Sequence, residues 1–536
     1  MKYRLIIILI LITKIVSGQA PAIEWQNTIG GNDNDYLHSL QQCKDGGYIL
    51  GGYSKSNISP DKTENCIGNN DYWVVKLDSP GNIIWQNTIG GSGPDYLNSI
   101  QQTFDGGYIL GGHSSSGISG DKTENLIGGA YNDYWIVKVD SSGNIQWQNT
   151  IGGNNYDYLY AIWQTVDSGF VLGGYSSSDI SGDKTENCIG DKDYWVVKVD
   201  KTGSIEWQNT IGGTGEDEFH SMQYTSDRGC ILAGWSDSNI SGDKNENSQG
   251  GLDYWVVKLD QFGNIQWQNT IGGNGDDYLH SIKQTSDGGY ILGGYSNSDL
   301  SGDKTENCIG FFDYWVIKLN ASGDIQWQNT IGGNSPDQLF SIKPTTDNGY
   351  ILGGHSQSGI SGDKTENSMG SGDFWIMKLD SSGNIAWQNT IGGNSNYDLC
   401  YSIQETSDGG YIMGGDSNSD ISGDKTENSM GSIDYWVIKL FPDSSIIVSN
   451  SESIINDEIV ISPNPFSDHI TIQLKNSYDE INISILNSLG QTVVPSRFYS
   501  EKNNEIIDMD MLPQGIYFLY ITYRDLSYSI KKLIKA

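Results

Sequence analysis

Seven times along the chain an Asp-Lys-x-Glu-Asn segment recurs, as in Asp121-Lys122-Thr123-Glu124-Asn125. Its hard oxygen donors, Asp121, Glu124 and Asn125, could hold Ca²⁺. The spacing lacks the D-x-D-x-D-G pattern of a calcium loop, and Asp and Asn stabilise loops equally well by bonding nearby backbone. Self-bonding is therefore the expectation, Ca²⁺ the alternative, and no other cofactor is called for. Catalysis would need a positioned acid–base pair, a nucleophile with its His, or a set of metal ligands. The six His are spread over the chain, the recurrent Trp-Gln-Asn-Thr-Ile-Gly-Gly segment carries no acid, and G-x-S recurs without the strained elbow of a hydrolase. No residue is assigned a catalytic role. An enzyme reading would need two carboxylates peculiar to single copies, Glu216 and Asp276, to converge as in a glycosidase or lyase.

The elements that would position such residues follow from the repeats. Trp-Gln-Asn-Thr-Ile-Gly-Gly begins at Trp25, Trp85, Trp147, Trp207, Trp267, Trp327 and Trp387, and an Asp-aromatic-Trp marker places Trp73, Trp135, Trp195, Trp255, Trp315, Trp375 and Trp436 at the same period of about 60 residues. Within one unit, alternation and turn residues predict four strands, 96–103, 108–114, 134–139 and 145–151, the first pair joined by Asp105-Gly106-Gly107. Seven four-stranded units predict an all-β, seven-bladed β-propeller. The chain opens on an isolated fourth strand, 23–29, and the repeats stop at a third strand, 435–440, so the N-terminal strand is expected to complete the seventh blade and leave no open edge. Two Trp per blade, each worth up to roughly 4–6 kcal/mol on full burial, are expected to glue neighbouring blades. Lys138 and its equivalents, on an otherwise apolar strand, call for a carboxylate such as Asp133 or Asp95.

Positions identical in every copy serve the blade; positions that differ can read a single ligand. On the first, channel-lining strand these are His38, Asn98, Tyr160, His220, His280, Phe340 and Tyr401, and on the second strand Tyr53, His113, Tyr175, Trp235, Tyr295 and His355, with Asp416 in the last copy. Aromatic rings beside polar groups suit sugar or peptide surfaces, so the expected role is a binding or scaffold module for a glycan or protein.

A formal charge of −35 repels polyanions and excludes nucleic acid as a partner. Basic Met1-Lys2-Tyr3-Arg4, an apolar run from Leu5 to Ile12, and small Val16 and Gly18 read as a signal peptide cleaved before Gln19, with no membrane-spanning run after it. Of the six Cys, Cys66, Cys188 and Cys308 occupy one site in three different repeats, beyond disulfide reach of one another, so no structural disulfide is expected.

Beyond a Ser- and Asn-rich linker, 443–458, residues 459–536 hold short alternating strands that predict a small β-sandwich. Here Pro463-Asn464-Pro465-Phe466, Leu489-Gly490, Leu512-Pro513-Gln514-Gly515-Ile516-Tyr517 and Lys531-Lys532-Leu533 follow one another. The ordered set resembles the type A C-terminal sorting domain of the Bacteroidetes type IX secretion system. The resemblance implies a sorting motif carried by Pro463, Asn464, Pro465, Gly490, Gly515, Tyr517 and Lys532. It further implies Sec-dependent export, recognition by the outer-membrane translocon, and release to the medium or attachment to the cell surface. The upstream repeats resemble uncharacterised repeats of other secreted Bacteroidetes proteins, which implies no activity. The expected organisation is a signal peptide over 1–18, a propeller over 19–442, a linker, and a sorting domain over 459–536.

Overall fold

A computed structural model describes residues 18–129, 131–395 and 397–443 and, towards the C-terminus, 459–462, 468–474, 481–487, 492–499, 504–509, 512, 515–523 and 528–535. The signal-peptide segment 1–17, the linker segment 444–458, and Pro463, Asn464, Pro465 and Gly490 lie outside the described residues. Contacts divide the chain into two units, Met1–Ser445 and Ile446–Ala536.

The first unit is a seven-bladed propeller of four-stranded antiparallel sheets. In the second blade Asp95–Gln102, Tyr108–Ser114, Asp133–Val139 and Ile145–Ile151 lie side by side in chain order. The first and third strands begin one residue earlier than their alternation suggests, because both leading carboxylates turn inward as caps. Asp95 Oδ2 accepts from Gly91 N at 2.7 Å and from Ser116 Oγ at 3.0 Å, and Asp133 Oδ2 accepts from Ile127 N at 2.6 Å. Each hairpin between third and fourth strands turns on a glycine in the left-handed region, such as Gly143 at φ 87°.

The third strand forms the core. Trp135, Val137 and Val139 pack with Tyr72 and Val74 of the preceding blade, while Tyr134 and Ile136 pack with Trp195 and Val197 of the following one. A hydroxyl locks most of these interfaces: Tyr72 Oη donates to Trp135 O at 2.9 Å and Tyr134 Oη to Trp195 O at 3.0 Å. The seven third-strand Trp are fully buried. The outer Trp are mostly half-buried, so the two sets do not contribute equally. An outer Trp instead covers the hairpin glycine of the next blade; a Cβ on Gly81 would stand 3.0 Å from the Trp25 ring. Trp387 is the buried exception, its Nε1 donating to Asp443 Oδ1 at 2.7 Å.

The seventh sheet is composite. Asp398–Glu405, Tyr411–Ser417 and Asp434–Leu440 receive Ile23–Ile29 as their outer strand, antiparallel, with Gln26 opposite Ile438 and Thr28 opposite Trp436. Each inner strand carries a bulge: the register shifts between Leu97 and Ser99, leaving Asn98 as the extra residue. In the second unit Ile459–Ser462, His469–Leu474 and Asn504–Asp508 form one antiparallel sheet. Thr492–Tyr499, Ile481–Asn487, Gly515–Tyr523 and Tyr528–Lys535 form another.

Candidate functional site

The invariant charged residues are engaged in the architecture. Lys138 takes neither Asp133 nor Asp95 but the turn residue Asp105, Nζ to Oδ2 at 3.1 Å, and also donates to Val139 O at 3.0 Å. Asp133 and Asp95 are unavailable because they cap the strand starts, whereas the turn brings Asp105 beside the end of the third strand. The Asp-Lys-x-Glu-Asn loop folds onto its own blade and onto the link that leads in from the preceding one. Lys122 Nζ donates to Thr150 Oγ1 at 2.6 Å and stands 4.9 Å from the Trp135 ring centroid. The oxygens weighed as Ca²⁺ ligands each accept a backbone N–H: Asp121 from Gly90 at 3.2 Å, Glu124 from Thr150 at 2.6 Å and Asn125 from Ile118 at 3.2 Å. Among the described residues no group of three or more His, Cys, Asp or Glu is gathered to hold a metal ion. The six thiols are free, and Cys66 Sγ donates to Ser54 O at 3.5 Å.

The variable positions converge on the channel. The bulge residues form a nearly continuous ring of side chains. His38 stacks on Tyr401 at 5.3 Å, Tyr401 meets Phe340 at 5.1 Å, Phe340 meets His280 at 5.2 Å, His280 meets His220 at 5.1 Å, and His220 meets Tyr160 at 4.9 Å. Asn98 interrupts the ring and donates from Nδ2 to Leu159 O at 2.7 Å. The second-strand residues stand behind this iris. Tyr53 backs His38, Tyr175 backs Tyr160, Tyr295 backs His280 and His355 backs Phe340; Trp235 lies only 3.7 Å from His220, and His113 contacts Asn98. In the last blade Asp416 replaces the backing ring, and its Oδ1 accepts from Leu37 N at 2.7 Å. Burial pushes His38 in the iris, and His355 behind it, down to about 4 and His113 to about 3, and holds His280 well below and His220 below the ordinary imidazole value, which favours the neutral rings. Burial likewise holds Asp416 well above the usual carboxylate range.

On the side of the Asp-Gly-Gly turns the iris is the floor of a cavity of about 430 Å³. His38, Asn98, Tyr160, His220, Phe340 and Tyr401 line that floor; the second-strand residues do not reach it. Above the floor comes a layer of small residues such as Ser39 and Ser99, then a layer formed by Gln41, Gln101, Trp163, Gln223, Lys283, Lys343 and Gln404. That last layer is absent from the expected site. A regular strand would place it on the face opposite His38, and only the bulge brings both onto the channel. Its signal in the sequence is the same as for the iris: five copies carry Gln or Trp where two carry Lys.

Lys283 and Lys343 are half-buried on neighbouring blades, and among the described residues no Asp or Glu lines the cavity. Lys283 Nζ stands 5.4 Å from the Trp163 ring centroid, and Lys343 Nζ donates to Gln404 Oε1 at 3.4 Å. Burial, with the neighbouring Lys343 charge, brings Lys283 down to about 7; burial brings Lys343 to about 8. Neither Glu216 nor Asp276 lines the cavity. Asp276 Oδ1 accepts from Leu252 N at 3.2 Å, and Glu216 sits 3.7 Å from Lys192.

In the tail, Gly515 opens a strand opposite Lys535, the buried Tyr517 pairs with Leu533, and Lys532 pairs with Phe518. Residues 460–536 match the family of secretion system C-terminal sorting domains. The sorting domain marks the protein for the type IX secretion system and for transport across the outer membrane to the cell surface or the medium. A 171-residue stretch is 24% identical to the regulatory protein FlaEY of Caulobacter vibrioides, covering 31% of this chain and 17% of that protein's length. A puromycin hydrolase structure aligns at 8% identity over 85% of this chain and 62% of its own, with a TM-score of 0.42. A fungal copper-bound alcohol oxidase aligns at 8% over 96% and 99%, with a TM-score of 0.38. Scores of this size assign this chain no activity.

Proposed function

We propose that the exported propeller is a non-catalytic binding module that takes its ligand, part of a glycan or protein, into the channel cavity above the aromatic iris. One observation carries this reading: the cavity is where chemically different side chains from the seven blades face a common space, while the invariant residues are spent on caps, turns and blade contacts. The iris supplies flat apolar surface, and the Gln layer above it, its Oε1 atoms engaged by neighbouring blades, supplies amide N–H donors, a combination suited to a polar ligand held in one orientation. The reading requires neither metal nor cofactor. An array of glycans and proteins probed with the exported chain tests it. Saturable binding weakened by Trp163→Ala supports it; turnover of a polysaccharide at a defined rate replaces it with an enzyme.

A further inference from the structure

We infer that Lys283 and Lys343 form an anion-recognition pair and that the ligand presents to it the carboxylate of an acidic saccharide, a deepening that rests on the binding-module reading above. The two lysines hold equivalent positions on adjacent inner strands, opposite Ile291 and Ile351, with their ammonium groups turned apart towards Trp163 and Gln404, and among the described residues no carboxylate lines the cavity with them. Elsewhere in the propeller a buried lysine has its partner built in. Lys138 has Asp105, and Lys122 has Thr150 and the Trp135 face with the Asp95, Asp133 and Glu124 charges near it. Among the described residues Lys283 has only the Trp163 face, and Lys343 only the Gln404 amide oxygen. In a chain carrying 66 acidic against 31 basic residues, two adjacent half-buried cations without a counter-charge are a costly arrangement. The other five blades avoid it with Gln or Trp.

An anion entering the cavity, towards which both ammonium groups turn, supplies the missing counter-charge and is held by charge-assisted hydrogen bonds. The rest of the layer specifies what carries that anion. Gln41, Gln101 and Gln223, whose Oε1 atoms accept from Gln102, Gln164 and Gln284 N, offer amide N–H groups suited to hydroxyls, and Trp163, fixed by its Nε1–H donated to Met222 O at 2.8 Å, presents a flat face to a sugar ring once Lys283 turns from it to the anion. The strongly negative protein repels a polyanion laid along its outside, so the cavity suits a chain end.

Titration calorimetry of the full exported chain tests this with three probes: trigalacturonate, neutral maltotriose and sodium acetate. Trigalacturonate should bind one per chain, and Lys283→Met and Lys343→Met should each weaken it by about tenfold or more. Removal of uncompensated charge should leave the melting temperature of both variants equal to or above that of the parent, which separates lost recognition from lost folding. Acetate binding as tightly as trigalacturonate would overturn the saccharide assignment. Maltotriose binding undiminished in the double variant, with trigalacturonate no tighter, would overturn the anion pair while sustaining the binding module. If none of the three binds, the proposal falls, and the array result alone then decides the binding module.

Discussion

Trp436 Nε1 donates to Gln26 Oε1 at 3.1 Å, joining the last third strand to the first strand of the chain. The same bond links Trp135 to Gln148 and Trp195 to Gln208 at 3.1 Å within blades that are contiguous in sequence. Ring closure therefore reuses the ordinary blade contact. Deleting 23–29 should expose the edge of Asp434–Leu440 and unseat Trp25, lowering stability by several kcal/mol and promoting association. Thermal melting and light scattering read both effects; an unchanged melting temperature would contradict closure by this strand.

One blade interface lacks its hydroxyl lock. Position 374 is Phe where the other blades carry Tyr, and its ring contacts Trp436 at 5.0 Å without donating to the Trp436 carbonyl. Tyr72, Tyr134, Tyr194, Tyr254, Tyr314 and Tyr435 all make that bond. Phe374→Tyr should add a buried hydrogen bond and stabilise the propeller by about 1 kcal/mol, readable in denaturant melts.

Lys138 is nearly buried while its partner Asp105 is largely exposed, with side-chain exposures of 5% and 58%. Removing the acid strands a charge; removing the base does not. Asp105→Ala, which also removes the acceptor of Gly107 N, should cost about 2–3 kcal/mol, and Lys138→Met, whose chain fills the same space, about 1 kcal/mol or less. Chemical denaturation of the two variants checks the order.

Burial raises Asp95 from 3.8 to about 6, against the hydrogen bonds from Ser114, Gly91 and Ser116, with the Asp71 charge adding to the rise. A carboxyl whose folded pKa lies above its unfolded value contributes stability that is full below the unfolded pKa and is lost as pH rises through the folded one. The stability of the parent relative to Asp95→Asn should therefore fall between about pH 4 and 6 and level off above. The difference in unfolding free energy, measured across pH 4–8, should show that slope; a difference independent of pH would show that Asp95 is ionised throughout.

Deleting the chain from Ile459 onward should abolish export, because the sorting domain lies there, and leave the melting of the propeller unchanged, because contacts separate the units after Ser445. Fractionation of cells and calorimetry of the truncated protein check the two halves.

The repeat markers and the offset ends, Ile23–Ile29 at one and Asp434–Leu440 at the other, determine blade number, strand order and closure, because hydrophobic alternation and glycine turns are local properties repeated seven times. The ordered Pro463-to-Lys532 motif likewise identifies the tail without reference to any contact. What only the tertiary structure decided is which side chains share a space. Lys138 pairs with Asp105 because the turn carries it there, whereas the nearer-seeming Asp133 is used as a cap. The iris and the lysine layer face one channel because a bulge after Leu97, repeated in each blade, inserts a residue and reverses the strand's parity. Parity counted along an unbulged strand puts Lys283 and Lys343 on the far side from His280 and Phe340. A bulge is set by how an inner strand fits its neighbours in the ring, so the site that distinguishes this propeller is assembled by the fold.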